Sequence, residues 1–357
     1  MENLVKLSAR QQKVLRATVR HYVATAEPVG SKALVNSYNL KVSPATIRNV
    51  MGVLERSGLL YQPHTSAGRV PSDSGYRIYV DELVQPSKPI ARQIDQVLTH
   101  RLDWEGCSLE ALLREAAQVL ARLSGYIALV TLPTAESAKL RHLQLVRVDE
   151  NQILLVVLLD SYRTESVIIQ FPQIAETASS SRAALDRELQ ILSNFLTEQL
   201  RDQPLSAIAA LSWSELDQVF QQYIETLQTA IQALAQRQQG TQAQILISGL
   251  ADALSQPEFS ERQQIQNLVS LLEDGKEQLW PLIFQSDNSA RLQVWIGSEN
   301  PIEPMQTCAL ISSVYTKNSA PLGSVGILGP TRMLYENAIA AVEAAADYLS
   351  GAITQAA

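Results

Sequence analysis

The sequence predicts a multidomain α+β protein that begins with a winged helix-turn-helix and continues into an α/β domain split by an insertion. Three observations support this fold class. Residues 31–71 read as two short helices, a tight turn and a hairpin, the first 80 residues are basic, and the rest runs as strands, then helices, then strands. Because the second helix of such a module fits the major groove of DNA, a DNA-binding regulator is the first functional hypothesis.

Residues typical of helix ends mark both limits of the second helix of the module. Ser43 can cap its first turn, Pro44 occupies the first helical position, and Gly58 follows the last turn, where a left-handed residue is wanted. Ile47 and Leu54 share one apolar face, which we expect to pack on the preceding helix. The opposite face is therefore free to meet a partner.

The side chains on that opposite face suit DNA. Arg48 can reach guanine or phosphate, Asn49 can reach adenine, and Thr46 can contact a thymine methyl group. A solvated helix face without a partner is the alternative interpretation. The full set of predicted DNA-binding residues, including two lysines and the hairpin, is Ser43, Ala45, Thr46, Arg48, Asn49, Lys32, Lys41, His64, Thr65, Ser66 and Arg69.

The hairpin after this helix is the predicted wing. Gly68 permits a tight turn, and Arg69 then lies where a wing could touch phosphate or enter the minor groove. Two alternatives remain open from the residues alone. The hairpin could simply cover the helices, or the module could bind a protein, as some winged helices do.

The charge distribution agrees with a DNA-binding end. Residues 1–80 contain eleven Lys or Arg and four Asp or Glu, a net charge of +7, whereas the whole chain carries −7. A basic module on an acidic body concentrates positive potential where phosphates would bind.

Length and composition indicate a folded protein of the reducing cytoplasm. The 357 residues are 46% hydrophobic and 18% charged, which fits two or three domains with real cores. The longest aliphatic run, Ile153–Leu159, is too short to span a bilayer, and we expect no contact with a membrane. Cys107 and Cys308 are far apart and show no metal-ligand spacing, so a disulfide is not expected.

Composition shifts divide the chain into three parts. Prolines at residues 85–89 predict a linker, so the DNA-binding module covers residues 1–85. Strand-like segments on both sides of a Gln-rich helical stretch predict an α/β domain formed by residues 86–172 and 287–357. The insert is then residues 173–286 and mainly helical.

One helix in the insert has the spacing of a helix that packs along a neighbour. Large apolar residues alternate spacings of three and four across three heptads, which favours a dimerisation helix. A seam inside the inserted domain is the open alternative. The predicted dimerisation residues are Trp213, Leu216, Phe220, Tyr223, Leu227 and Leu234.

The sequence gives little support for catalysis. It has no Gly-x-Ser-x-Gly, His-Glu-x-x-His or Cys-x-x-Cys motif, and the four histidines are scattered. The glycines between Gly323 and Gly329 match neither phosphate-loop nor dinucleotide spacing and are best explained by a strand that turns into a helix. We expect Thr331 to cap that helix and Arg332 to form a structural ion pair. No enzyme activity, cofactor or metal is expected.

Five segments resemble the HrcA family of heat-inducible transcription repressors. They are Glu27-Pro-Val-Gly-Ser-Lys-Ala-Leu34, Ala45-Thr-Ile-Arg-Asn49, Gln62-Pro-His-Thr-Ser-Ala-Gly-Arg-Val-Pro71, Gly75-Tyr-Arg-Ile-Tyr-Val-Asp81 and Pro321-Leu-Gly-Ser-Val-Gly-Ile-Leu-Gly-Pro-Thr-Arg-Met-Leu-Tyr335. The family often has an acidic residue where this chain has Val50. Because Val50 fits the apolar stripe, we expect that difference to alter packing and leave base contacts unchanged.

The resemblance implies the rest of the functional hypothesis. The split domain would be GAF-like, and its insert would dimerise the chain. The homodimer would bind double-stranded DNA at an inverted-repeat operator near chaperonin genes, and chaperonin would modulate the repressor until heat stress releases the gene. The alternative is a winged-helix regulator that senses a small molecule through its GAF-like domain, because such folds host many functions.

Overall fold

The structure is a computed structural model in which the chain forms two compact units. The first unit contains Met1–Leu132 and Ile245–Ala357, and the second contains Pro133–Gln244. The residues that the structure describes are 7–38, 40, 42–65, 67–101, 108–133, 139–149, 151–159, 164–170, 182–203, 227, 229–234, 244–256, 258, 259, 261–284 and 291–355. Within that part of the chain, no helix is both long enough and apolar enough to cross a membrane.

The first unit begins with a helical module that ends in a small hairpin. Its elements are α1 (Ala9–Thr25), α2 (Ser31–Tyr38), α3 (Pro44–Arg56), the antiparallel strands β1 (Leu60–Tyr61) and β2 (Val70–Pro71), α4 (Asp73–Ile78) and a π-helical turn (Tyr79–Leu83). The apolar stripe of each of the first three helices is buried in a common core, since Leu15, Leu34 and Ile47 have no exposed surface.

The predicted limits of α3 are confirmed. The Ser43 hydroxyl accepts a hydrogen bond from the amide of Thr46 at 3.2 Å, and Pro44 is the first helical residue. Gly58 follows the last turn with a φ of 73°, a left-handed conformation that glycine adopts without strain. Ile47 and Leu54 are buried as the stripe predicts.

The rest of the first unit, here called the body, is a five-stranded sheet between two helical layers. The antiparallel strand order is β7-β3-β10-β9-β8. The strands are β3 (Ile127–Thr131), β7 (Ile245–Ser248), β8 (Leu292–Ile296), β9 (Cys308–Lys317) and β10 (Ala320–Pro330). The helices are α5 (Lys88–Arg101), α6 (Leu109–Ser124), α8 (Leu250–Leu254), α9 (Arg262–Asp274), α10 (Lys276–Ile283) and α11 (Tyr335–Gln355), with short 3-10 turns at Gly297–Glu299 and Glu303–Met305.

Successive side chains along a strand point to opposite faces of the sheet, and this explains why a helical layer packs on each face. Ala128 and Val130 share a core with α5, α6 and α11, whereas Ile127 and Leu129 share another with α9 and α10. The predicted linker is shorter than expected, because α5 already begins at Lys88. Proline costs little in a first helical turn, where its missing N–H would have no partner.

The second unit has its own small sheet. Strands β4 (Leu140–Asp149), β5 (Gln152–Leu159) and β6 (Thr164–Gln170) form an antiparallel meander, and α7 (Arg182–Leu200) packs across one face. Residues 229–234 are also helical. A separate core joins Leu143, Leu155, Leu192 and Ile231.

The structure divides the chain differently from the predicted insert at 173–286. Strands β4 to β6 pair with one another, so the second unit starts at Pro133 and is α+β in its described part. Strand β7 pairs with β3, which returns the chain from Ile245 onward to the main sheet. The sequence shows strands before residue 172 but not their pairing partners, and those partners decide the boundary.

Candidate nucleic-acid interface

The exposed face of α3 presents the side chains that the sequence predicts. Ala45, Arg48 and Asn49 are exposed, whereas Thr46 is half-buried. Among the residues that the structure describes, no ion pair engages the Arg48 guanidinium and no hydrogen bond engages the Asn49 amide. Both side chains can therefore donate to a ligand without first breaking a contact in the protein.

The first turn of α3 is held by a pair of hydroxyl groups. The Oγ of Ser43 lies 3.0 Å from the Oγ1 of Thr46 and also accepts the Thr46 amide. Capping already uses part of the hydrogen-bonding capacity of Ser43. Its clearest role is to fix the start of the helix, where backbone amides and the helix dipole favour an anion such as phosphate.

The hairpin is fixed to the loop between α1 and α2. Val29 and Arg69 exchange two backbone hydrogen bonds of 2.9 Å. A Cβ on Gly68 would lie 2.5 Å from the carbonyl carbon of Val29 and 2.6 Å from that of Pro28. Gly68 thus allows a close approach of two backbones, a stricter requirement than the tight turn that the sequence suggested.

The tip of the hairpin is organised by a residue that sequence reasoning missed. The Gln62 side-chain amide donates to the carbonyl oxygens of Thr65 and Ala67, both at 2.9 Å. His64 and Thr65 are exposed beside it. A glutamine at the start of a loop of small polar residues is a weak sequence signal, because its hydrogen bonds to loop carbonyl groups exist only in the folded loop.

The structure uses Arg69 differently from the predicted phosphate contact. Its side chain is only 22% exposed, and its guanidinium pairs with the carboxylate of Glu55 on α3, with both Nε and a terminal nitrogen 2.9 Å from Oε2. The side chain therefore links the hairpin to α3. Glu55 is the second residue that sequence reasoning missed, and its position next to the last residue of α3 was the available signal.

The remaining predicted DNA-binding residues are two lysines and a serine. Lys32 is exposed in the first turn of α2, while Lys41 and Ser66 lie outside the described residues. Arg10 was not predicted. It lines an open groove of about 550 Å³ between the start of α1 and Asn49 on α3. The capping box formed by Ser8 and Gln11 was the sequence signal for that helix start.

The predicted dimerisation helix falls mostly outside the described residues. The residues outside the description include Trp213, Leu216, Phe220 and Tyr223. Leu227 and Leu234 are each 1% exposed and pack in the core of the second unit. For these two residues the structure matches the alternative of a seam inside the inserted unit, because each is already covered within one protomer.

Polar contacts attach the helical module to the body. Arg20 on α1 pairs with Glu336 on α11 at 2.9 Å, and the Tyr79 hydroxyl donates to the same carboxylate at 2.5 Å. Burial and the Glu336 hydrogen bond raise the pKa of Tyr79 above its ordinary value. An open cavity of about 420 Å³ lies beside these groups.

The predicted ion pair of Arg332 is confirmed, and the structure supplies its partners. Arg332 pairs with Glu258 and donates to the carbonyl oxygen of Val23 on α1 at 2.6 Å. The predicted Thr331 cap is wrong, because α11 begins only at Tyr335; the Thr331 carbonyl oxygen instead accepts the Tyr335 hydroxyl at 2.8 Å. The segment after β10 thus joins the body to the module, and the glycines of the motif lie within β10 itself.

Two observations on the described residues concern metal-binding and thiol groups. No group of three or more His, Cys, Asp or Glu side chains in the described ranges has a geometry that could hold a metal ion. Cys308 is buried and free of any disulfide, and burial raises the pKa of its thiol to about 11. A thiol in that state is a poor nucleophile at neutral pH.

An exposed helix face with Arg and Asn side chains, set beside a hairpin, is typical of the DNA-binding transcription regulators as a class of protein. The family model described as "HrcA protein C terminal domain" matches residues 110–339. Relatives named heat-inducible transcription repressor HrcA include one from Cyanothece sp., 54% identical with 98% of this chain and 99% of the relative covered. Another, from Synechococcus elongatus, is 53% identical with 98% of both chains covered.

The chain therefore belongs to the HrcA family and is a heat-inducible transcription repressor. A solved structure, the crystal structure of a hypothetical protein at 2.2 Å resolution, aligns over 99% of this chain and 100% of its own. The TM-score is 0.65 and the sequence identity 24%, so this likeness supports the fold alone.

Proposed function

We propose that this repressor binds an inverted-repeat operator in double-stranded DNA as a homodimer and blocks transcription of heat-shock genes. In this proposal the N-terminal module is a winged helix-turn-helix, and the body is GAF-like. The observation that carries the proposal is the exposed face of α3, where Arg48 and Asn49 are free to donate while the helix itself is capped and tied to the hairpin.

Each side chain on this surface has a distinct role in the proposal. Arg48 reads guanine and Asn49 reads adenine, because each can form two hydrogen bonds to one base edge. Lys32 and the amides at the start of α3 bind phosphate and set the register of the helix in the groove. Arg69 acts indirectly, through Glu55, by holding the wing against α3.

The homodimer follows from the geometry of operators. A single module reads few base pairs, whereas a two-fold dimer matches an inverted repeat on one face of the duplex. We assign the contact to the second unit, whose sheet leaves a patch of aliphatic side chains exposed. That patch is Val146, Val148, Leu158 and Ile168. Exposed apolar surface of this kind is typical of subunit contacts.

The operator test is fluorescence anisotropy on a labelled inverted repeat, a half-site and a scrambled duplex at stated salt concentrations. Arg48→Ala should weaken binding to the repeat by about 1–3 kcal/mol and reduce discrimination at one base position. Arg114→Ala is the matched control, since Arg114 forms an exposed pair with Glu110 on α6. Equal, strongly salt-sensitive binding to all three duplexes would contradict the proposal.

The dimer test is sedimentation of the full chain over a range of concentrations. Ile168→Glu places a charge on the exposed sheet face and should raise the dissociation constant of the dimer at least about tenfold, or about 1.4 kcal/mol. Ile191→Glu is the control, because Ile191 is similarly exposed on α7. A monomer at all concentrations in the unmodified chain would overturn the dimer.

Release on heating is proposed to depend on chaperonin in the cytoplasm. If the active dimer is only a few kcal/mol more stable than aggregation-prone states, modest heating changes the active population substantially. Operator binding after a heat step should then recover when chaperonin and ATP are added. Full, reversible recovery without chaperonin would contradict this part of the proposal.

A further inference from the structure

The end of α3 is tied to α4 by close backbone contacts. The Ser72 hydroxyl donates to the carbonyl oxygen of Gly58 at 2.5 Å, and the Ser72 amide donates to that of Leu59 at 3.2 Å. A Cβ on Gly75 would overlap the carbonyl oxygen of Leu59. Helix α4 therefore cannot tilt without moving the end of α3.

Helix α4 is in turn bound to the turn that follows β8. The Asp73 carboxylate accepts hydrogen bonds from the amide and the hydroxyl of Ser298, at 2.9 and 2.8 Å. Gly297 lies against the same carboxylate with a φ of 53°, and a Cβ there would overlap it. The turn after β8 therefore surrounds the Asp73 carboxylate. Arg77 follows four residues later on α4.

All three nitrogen atoms of the Arg77 guanidinium donate hydrogen bonds at this junction. Nε donates to Glu299 at 2.8 Å, one terminal nitrogen pairs with Glu299 and donates to the carbonyl oxygen of Val294 at 2.6 Å, and the other donates to Asp81 at 3.2 Å. Glu299 is itself fixed, because it accepts the amide of Ile296 at 2.9 Å. The planar guanidinium thus fixes both distance and angle, which a lysine could not do.

We infer that Arg77 is a positioning residue that sets the separation of operator half-sites which the repressor accepts. Its contacts complete a continuous path from α3 through Leu59 and α4 to the edge strand β8. The inference rests on the proposed dimer, in which each α3 is held in place through the body of its own chain. Loss of the link leaves each α3 folded and able to bind. The contacts of Arg20, Tyr79 and Arg332 still attach the module to the body, but the module tilts more easily, so the dimer tolerates more spacings.

The experiment measures the affinity of the full chain for inverted repeats whose spacer changes by one base pair at a time across one helical turn. A single half-site is measured in parallel. Arg77→Ala and Glu299→Gln break the link from opposite sides, and Glu299→Gln is the milder change because its amide oxygen can still accept the Ile296 amide. Arg114→Ala is again the control for loss of an exposed pair.

The unmodified chain should bind the best spacing at least about tenfold more tightly than spacings two or three base pairs away. In both variants this ratio should fall to about twofold, with half-site affinity unchanged within about twofold. An unaltered ratio in both variants would overturn the inference and leave the operator proposal intact. A parallel fall in half-site affinity would also overturn it, since the residues would then only maintain the fold of α3. No preference of the unmodified chain for any inverted repeat would overturn both proposals.

Discussion

The Oε2 atom of Glu55 on α3 lies 2.9 Å from both Nε and a terminal nitrogen of Arg69 in the hairpin. This ion pair makes a basic residue of the hairpin a structural brace for α3. We predict that Glu55→Gln lowers discrimination between operator and scrambled DNA by about threefold to tenfold, because Arg69 becomes free to bind any phosphate. Affinity for scrambled DNA should rise at the same time.

The control for that prediction is Glu27→Gln. Glu27 is exposed in the same module, so its substitution makes an equal change in net charge and leaves the brace intact. Anisotropy titrations on both duplexes give the discrimination ratio for each variant. An equal ratio in the two variants would mean that only net charge matters and that the brace contributes nothing.

The Ser43 cap gives a second prediction, which separates stability from DNA binding. Ser43→Ala should lower the free energy of unfolding by about 1 kcal/mol, because the amide of Thr46 loses its acceptor. Ser43→Asp keeps an acceptor and should retain stability, yet weaken operator binding because its charge repels phosphate. Denaturant unfolding and anisotropy, applied to both variants, test the two effects.

Ser37→Ala provides the baseline, since Ser37 is exposed within α2 and removal of its hydroxyl should change stability little. Retention of both stability and affinity in Ser43→Asp would show that no phosphate approaches the start of α3.

The local parts of this molecule could be predicted from the sequence. Ser43, Pro44 and Gly58 act on their own helix, so the limits of α3 follow from residue type and spacing. The same holds for α6 (Leu109–Ser124), because Ser108 caps its first turn and the left-handed Gly125 follows its last.

Contacts between distant residues could not be predicted in the same way. Arg332 was expected to form an ion pair, but its partner Glu258 lies 74 positions away. The pair of Arg69 with Glu55 spans 14 positions and depends on how the hairpin folds back over α3. The second unit shows the same limit, because the register of β4, β5 and β6 with one another cannot be read from their alternation.

The close approach at Gly68 gives a third prediction. Gly68→Ala should lower the free energy of unfolding by about 1–3 kcal/mol, because the added methyl group meets backbone atoms of Pro28 and Val29 that cannot rotate away. Gly52→Ala should instead stabilise α3 by about 0.5–1 kcal/mol, since only the end of the Arg56 side chain lies near, at 3.7 Å. Similar changes in the two variants, measured by denaturant unfolding, would rule out the steric explanation.

Because of four buried tyrosines, the stability of the native state depends on pH in the alkaline range. Burial raises the pKa of Tyr76, Tyr79, Tyr315 and Tyr335 above the ordinary value. Above a pH of about 10 the unfolded chain loses protons that the native chain keeps. The stability of the native state is therefore unaffected below that pH and falls as pH rises beyond it, by up to about 1.4 kcal/mol per pH unit for each tyrosine.

The near-ultraviolet absorbance of tyrosinate measures this effect directly. In denaturant, all eleven tyrosines should titrate together near a pH of about 10. In the native chain the buried tyrosines should ionise only with unfolding, as one steep step that coincides with loss of helical signal. Tyr79→Phe should make the step shallower, because one ionisable group with a raised pKa is gone. Gradual ionisation of all eleven tyrosines before unfolding would show that water reaches the four buried hydroxyl groups and that the junction around Tyr79 opens readily.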